Sequence, residues 1–371
     1  MENKQFSLKP PPLPPEIDKG ALLGEIIEAH KALGRLSGLM ENLLNPTLIA
    51  APLLAKEAVL SSRIEGTHST VEEAFVYDAE GAVGREPQKT TREQDTREVN
   101  NYRKAVFAAE EAIKKQQPIT ERLVKHLHAI LLDSVRGARK TPGEFRREQV
   151  FIGKPGDTIE SAAYVPPPPQ ELPRLMSDWE RYVNTDEEKE DLIRIGVAHY
   201  QFEAIHPFSD GNGRIGRLLI PLMLYERNLL PNPALYISGY FDDKRDEYYD
   251  RLHGVDETGH FEGWLRFFFD AVSEQSRRTQ RTVVEMNELY HRMSAEADGL
   301  GLQYARGLVD FLFERPAITH SSLKHRIGAA RGTTYSLIDR FVEAGLLEFF
   351  PSEKKRNRVY ICRRLIEVLS R

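Results

Sequence analysis

The chain is short of the groups that staple small proteins or hold them in a membrane. It has 371 residues but a single cysteine, Cys362, so no disulfide can close within it and a reducing, cytoplasmic setting is the expectation. No run approaches the eighteen or more apolar residues of a membrane span, and Met1 to Pro15 lacks the apolar centre of a secretory signal. Zinc chemistry has little to build on: cysteines are not paired, and His199 and His206 lack the glutamate-bearing helical spacing of a metalloprotease. No internal repeat is present. What remains is a hydrophobic share of 40% and a charged share of 29%, the composition of a soluble globular protein long enough for a large core and a small second domain.

The richest stretch is His206 Pro207 Phe208 Ser209 Asp210 Gly211 Asn212 Gly213 Arg214 Ile215 Gly216 Arg217. Apolar residues at helical spacing from Asp191 to Ile205 predict a helix that ends just before His206. Gly211 and Gly213 flank Asn212, so the backbone can turn tightly and bring N–H groups up to an anion. From Arg214 the sequence is apolar almost all round, which predicts a buried helix whose N-terminus points at whatever the glycine turn holds. Pro221 should kink it.

Each residue type suits phosphoryl or nucleotidyl transfer, where catalysis is mostly positioning and charge stabilisation. His206 titrates near neutrality and is the candidate base for a hydroxyl nucleophile. Asp210 offers one hard oxygen ligand, as Mg²⁺ takes alongside substrate phosphates and water. Arg214 and Arg217, three apart, share a helix face and can both reach a polyphosphate. A lone histidine at such a place reads as a buried, satisfied core residue; all these types within twelve residues read as a site.

His206 to Arg217 resembles the Fic motif (His, any, Phe, any, Asp or Glu, Gly, Asn, Gly, Arg, two of any, Arg) with every fixed position filled. The resemblance implies AMP transfer from ATP to a Ser, Thr or Tyr hydroxyl of a protein, with ATP as substrate and Mg²⁺ as its companion. His206 would be the base and Asp210 the metal ligand. Gly211, Asn212, Gly213 and Arg214 would form the anion hole around the α- and β-phosphates, Arg217 would meet the γ-phosphate, and Ile215 and Gly216 would also belong to the ATP-binding stretch. The site would bind the nucleotide's adenosine against an aromatic of Tyr240 to Leu252, for which Tyr249 is the choice, with Tyr248 and Tyr240 also in range.

Upstream, residues 53–66 read as a helix closed by glycine, with Ser61 and Glu65 on one face. Glu65 in the last turn is disfavoured by the helix dipole, so a facing cation would explain it. Ser61 to Gly66 resembles the inhibitory motif of regulated Fic enzymes, in which the glutamate pairs with the second motif arginine, here Arg217. Gln149 to Gly153 and Ser161 to Val165 are β-prone runs around the turn residues Lys154 Pro155 Gly156 Asp157, and predict a hairpin. The resemblance makes it the flap (about 149–165) on which an extended target segment docks through main-chain hydrogen bonds. Self-modification, in a homo-oligomer or otherwise, is also expected.

Charge is segregated. Ser321 to Arg371 holds eleven Lys or Arg against five Asp or Glu, while the whole chain is formally −5, so the remainder stands near −11. Ser321 to Ile327 and Thr333 to Ala344 read as helices joined by Gly328 to Gly332, followed by strand, the basic turn Lys354 to Arg358, and strand. That is the order of a winged helix, which makes DNA a candidate partner and protein docking the alternative. Pro10 to Pro15 predicts a stiff polyproline segment, Pro166 to Pro169 the end of the flap, and Gly299 Leu300 Gly301 a hinge, although a helix over Ala271 to Met293 can cross it.

The expected fold is therefore mainly α: an N-terminal helical region (1–110) with the inhibitory helix, a Fic-type helical domain (111–290) with its small β-hairpin flap, and a C-terminal winged-helix domain (300–371). The expected function is autoinhibited protein adenylyltransfer. The alternatives are a DNA-binding regulator that uses the site as a nucleotide sensor, and a site that removes AMP.

Overall fold

The computed structural model describes residues 10–43, 45–80, 91–135, 140–153, 156–351 and 358–371. In chain order the described elements are α1 (Leu23–Glu41), α2 (Pro46–Ile64), α3 (Val71–Glu80), α4 (Thr91–Lys114), α5 (Glu121–Leu131), α6 (Leu172–Asn184), α7 (Asp191–Ile205), α8 (Asn212–Glu226), α9 (Ser238–Asp243), α10 (Arg245–Thr258), α11 (Glu262–Gly299) and α12 (Ala305–Glu314). Then come β1 (Ala317–Thr319), α13 (His320–Ile327), α14 (Arg331–Glu343), β2 (Glu348–Phe350), β3 (Val359–Ile361) and α15 (Arg363–Ser370). The fold is mainly α, as the sequence predicts. None of the described helices is long and apolar enough to cross a membrane.

Contacts divide the chain into two units, Met1–Gly34 with Asn101–Ser276, and Arg35–Asn100 with Arg277–Arg371. In the first, α7 is buried along almost its whole length and packs on α6 and α8. Both tryptophans of the chain serve this helix. Trp179 Nε1 donates to the Ala198 carbonyl at 2.9 Å and Trp264 Nε1 to that of Gly196 at 2.8 Å, so two large rings are buried without stranding a polar atom. Local chemistry sets where α7 begins: the Glu190 carboxylate accepts from Leu192 N–H at 3.1 Å, and Asp191 places a second negative charge in the first turn. In the polyproline segment Pro10 is buried, and the Pro11 carbonyl accepts from Gln201 Nε2 at 2.6 Å.

In the second unit α2 packs on α12 and α15, while α3 packs on β1 and β3. The sheet is antiparallel in the order β1-β3-β2, with Ala317 opposite Ile361 and Glu348 opposite the same residue on the other side. β1 and α15 were not legible as elements in the sequence. The last seventy residues thus pack with the N-terminal helices α2 and α3. The expected basic turn at Lys354 to Asn357 lies outside the described residues, with Arg358 the first described residue beyond it.

Among the described residues of the hairpin expected at 149–165, one antiparallel bridge joins Ile152 and Tyr164, with N···O distances of 2.8 and 3.1 Å. Beyond the bridge, Ser161 Oγ accepts from Thr158 N–H and Ser161 N–H donates to the Thr158 carbonyl, closing a turn. Lys154 and Pro155 lie outside the described residues.

Candidate active site

His206 caps α7 with φ 49° and ψ 60°, a left-handed conformation that turns the chain off the helix axis. Its Nδ1 lies 3.3 Å from the Glu203 carbonyl oxygen. A carbonyl only accepts, so in this contact Nδ1 is the nitrogen that carries the proton. The His206 carbonyl is fixed in turn by Arg146, whose Nε donates to it at 2.8 Å. The same guanidinium reaches the carbonyls of Pro167 at 2.5 Å, Glu148 at 3.3 Å and Ile205 at 3.4 Å, and Arg146 N–H donates to Pro207 at 2.9 Å. One buried fork therefore ties the start of the motif to the segments either side of the flap. Burial lowers the Arg146 pKa to about 10, which leaves it charged at neutral pH.

The turn after His206 is held from inside. Asn212 Oδ1 accepts from Phe208 N–H and Asn212 Nδ2 donates to the Phe208 carbonyl, both at 2.8 Å, so one amide closes the loop onto itself. Gly211 follows at φ +81°, where a Cβ is strained. α8 then starts at Asn212, and its first turn aims backbone N–H groups into the concavity of the loop. The Asp210 carboxylate sits at the rim, 3.2 Å from Arg214 Nη2 and 3.7 Å from Lys140 Nζ. Arg214 and Arg217 are both buried, at 4% and 1% exposure, so two guanidinium charges are concentrated under the anion turn. At Gly216 of α8 a Cβ would run into the Glu203 carboxylate of α7 and come within 3.3 Å of Phe202 Cδ1.

Two residues that the sequence did not single out complete this frame. His128 of α5 is buried, with its ring stacked on Phe208 at 3.7 Å. Its Nδ1 accepts from Gly143 N–H at 2.8 Å, which obliges Nε2–H to donate to the Asp210 carbonyl at 2.9 Å. Burial, with Arg214 nearby, lowers its pKa to about 4 and keeps it neutral. His199 does the same from α7: Nδ1–H donates to the Gly216 carbonyl at 3.1 Å and Nε2 accepts from the Tyr248 hydroxyl at 3.0 Å, and burial brings its pKa to about 3. Sequence offered a single cue, the number of histidines near the motif; the partners are all distant in the chain.

The three tyrosines of Tyr240 to Leu252 separate cleanly. Tyr248 is core, stacked on Phe241 at 4.5 Å, and Tyr240 is buried against Phe267. Tyr249 is 36% exposed and lines a pocket with Ile152, Tyr164, Leu252, His253 and Asp256. Asp256 is held there by the Tyr200 hydroxyl at 2.5 Å and by His253 Nδ1 at 3.4 Å. Among the described residues no group of three or more His, Cys, Asp or Glu is placed to hold a metal ion.

In the second unit, α2 ends at Ile64 and is closed by paired bonds: Gly66 N–H to the Arg63 carbonyl at 2.9 Å and Thr67 N–H to that of Ser62 at 3.2 Å. With Gly66 at φ +89° this is a Schellman closure, and it leaves Glu65 as an exposed C-cap while Ser61 is buried. α2 begins at Pro46, seven residues before the expected start.

A model of the Fic/DOC family matches residues 118–224, and one of the Fic/DOC family N-terminal region matches residues 23–111. The two take in more than half of the sequence, and the chain belongs to the Fic/DOC family. Protein adenylyltransferase Fic of Culex quinquefasciatus is 33% identical over 165 residues, 43% of this chain and 29% of that protein. The protein of the same name from Aedes aegypti is 32% identical over 165 residues, again 43% and 29%. The matched part is thus under a third of the length of these relatives. Among solved structures, a Fic family protein from Desulfovibrio desulfuricans G20 has the same fold over 94% of this chain and 98% of its own, with a TM-score of 0.60 and 23% identity. Fic-1 of C. elegans covers 70% of this chain and 72% of its own, with a TM-score of 0.51 and 18% identity.

Proposed function

We propose that this chain transfers AMP from ATP to a protein hydroxyl. The observation that carries the reading is the setting of His206: the Glu203 carbonyl orients its ring through Nδ1 at 3.3 Å, and the turn that follows leads into the N-terminus of α8 with the buried Arg214 and Arg217. The hydroxyl oxygen of a target Ser, Thr or Tyr forms a bond to the α-phosphorus, its proton passes to His206 Nε2, and the bond to the pyrophosphate oxygen breaks. N–H groups of the α8 first turn and the Arg214 and Arg217 guanidinium groups take the phosphate charge. The relatives' shared name, protein adenylyltransferase, supports the same reaction.

Asp210 is the residue that would hold Mg²⁺. A single carboxylate without a surrounding cluster fits an ion that arrives with the phosphates of ATP and spreads their charge. Tyr249 would lie against adenosine, which its exposure in the pocket beside Ile152 supports. The exposed Ile152 backbone segment would dock an extended part of the target, and the chain is itself a substrate. Glu65 restrains the reaction, its exposure at the α2 C-cap and the family match across 23–111 supporting that role.

The test is label transfer from α-³²P-ATP and γ-³²P-ATP to protein, with wild type, Glu65→Gly, and Glu65→Gly combined with His206→Ala. Label from the α position alone, raised by Glu65→Gly and abolished by His206→Ala, is expected. Incorporation from the γ position would make the protein a kinase, and incorporation that survives His206→Ala would remove the base assigned here.

A further inference from the structure

The catalytic reading does not use the basic C-terminal end of the chain. There α13 and α14 are joined by Gly328, Ala329 and Ala330, with Gly328 at φ +65° closing α13. Thr319 and Ser322 form a capping box at the start of α13, so both ends of this short helix are fixed. Leu323 of α13 and Leu337, Ile338 and Phe341 of α14 are buried, and the two helices pack on each other. A three-residue glycine-bearing turn between two such helices, followed by the antiparallel pair β2 and β3, is the arrangement of a winged helix-turn-helix.

The exposed face of α14 is divided along its length. Its first half shows Arg331, Gly332, Thr333, Tyr335 and Ser336, with no acidic residue and no aliphatic one. Its second half carries Asp339, and Arg340 is neutralised by Glu343 at 3.0 Å. Lys324 and Arg358 are exposed on α13 and at the start of β3. Neither of these, nor Arg331, has a carboxylate within ion-pair distance among the described residues. By contrast Arg326 is paired with Glu314, and Arg363 with Glu72 and Glu348. Positive charge therefore stands unneutralised at Lys324, Arg331 and Arg358, where a helix-turn-helix meets its ligand.

We propose that this module binds duplex DNA, with the first half of α14 in the major groove and Lys324 and Arg358 on flanking phosphates. The small residues Gly332, Thr333 and Ser336 let the helix backbone approach the base edges, and Arg331 and Tyr335, whose hydroxyl accepts from the guanidinium at 3.2 Å, supply the longer contacts.

The experiment is fluorescence anisotropy of the full chain with labelled random 30-base-pair duplexes across a salt series, beside the triple variant Lys324→Ala, Arg331→Ala, Arg358→Ala. Wild type is expected to bind at low salt with an affinity that falls steeply as salt rises. The triple variant should bind on the order of 10- to 100-fold more weakly, with the salt slope smaller by roughly 2, about one unit for each of the two lost phosphate contacts. ATP binding should be unchanged, which shows that the variant is folded and keeps this outcome separate from the transferase reading. No binding of duplex by wild type at low salt, or a slope unaltered in the triple variant, overturns the proposal. So does equal affinity for single strands. A change in sedimentation with DNA binding intact would assign the surface to self-association instead.

Discussion

The His128 ring lies 3.7 Å from that of Phe208, with the two planes 5° apart. The stack joins α5 to the loop between α7 and α8, and the same imidazole carries a hydrogen bond from each ring nitrogen into that frame. Replacement by phenylalanine keeps the stack and strands Gly143 N–H and the Asp210 carbonyl. His128→Phe should therefore cost about 1–3 kcal/mol of stability, and His128→Ala, which also opens a cavity, about 3–5 kcal/mol. Urea unfolding measures both. ATP affinity should fall in each, since the Asp210 carbonyl precedes the Gly211 turn; unchanged affinity in His128→Ala would mean that the loop holds its shape alone.

Arg146 reaches four carbonyls with one guanidinium. Lysine keeps the charge but cannot span them, so Arg146→Lys is not a conservative change here. AMP transfer should drop on the order of 10-fold or more, with kcat affected more than KM for ATP, because His206 and the flap are released while the anion turn is kept by Asn212. Steady-state kinetics separates the two constants. A change in KM alone would show that Arg146 serves nucleotide binding.

Acid should unfold the first unit early. His199 and His128 stay neutral when folded, with pKa values brought by burial to about 3 and about 4, whereas the unfolded chain binds protons from about pH 6.5 downward. Their contribution is complete above about pH 6.5 and is lost as the pH falls toward 4. His30 and His253 are raised, by hydrogen bonds to Glu190 and Asp256, and lose their contribution as pH rises; both are partly exposed and offset only a fraction. Urea midpoints should decline from pH 6.5 to 5, with a shallower decline in His128→Phe. Midpoints flat over that range would show that both histidines titrate as they do in water.

A Cβ at Gly196 would lie 2.8 Å from Leu265 Cδ2 and 3.0 Å from Phe268 Cδ1, both in the core of the first unit. Gly196→Ala should destabilise by about 1–3 kcal/mol through overpacking, even though alanine favours a helix. ATP affinity should stay near that of wild type, since Gly196 is more than two turns from His206. Thermal unfolding and ATP titration check both halves; a stabilised variant would mean that α11 can shift at little cost.

The sequence carried the motif and its helices because their signals are local. Apolar spacing from Asp191 to Ile205 coincides with α7, and the glycine pair marks the turn into α8. Glu65 and Gly66 were likewise legible, since a Schellman closure is written in adjacent residues. His128 and Arg146 were not: their partners lie 82 and 60 residues away, and neither has a local pattern that distinguishes a brace from an ordinary buried or surface side chain. Nor could adjacent tyrosines be told apart until packing put Tyr248 into the aromatic core and left Tyr249 at a pocket.

Cys362 lies buried beside Met293 Sδ at 3.8 Å, and burial pushes its thiol up to about 11. Thiolate is the reactive form, so the only native cysteine should be silent to maleimides and iodoacetamides while the chain is folded. The protein is thereby a ready host for site-directed spectroscopy. A spin label or fluorophore attached through Ile152→Cys or Tyr335→Cys would report on the flap or on the first half of α14 without a cysteine-free background having to be engineered first.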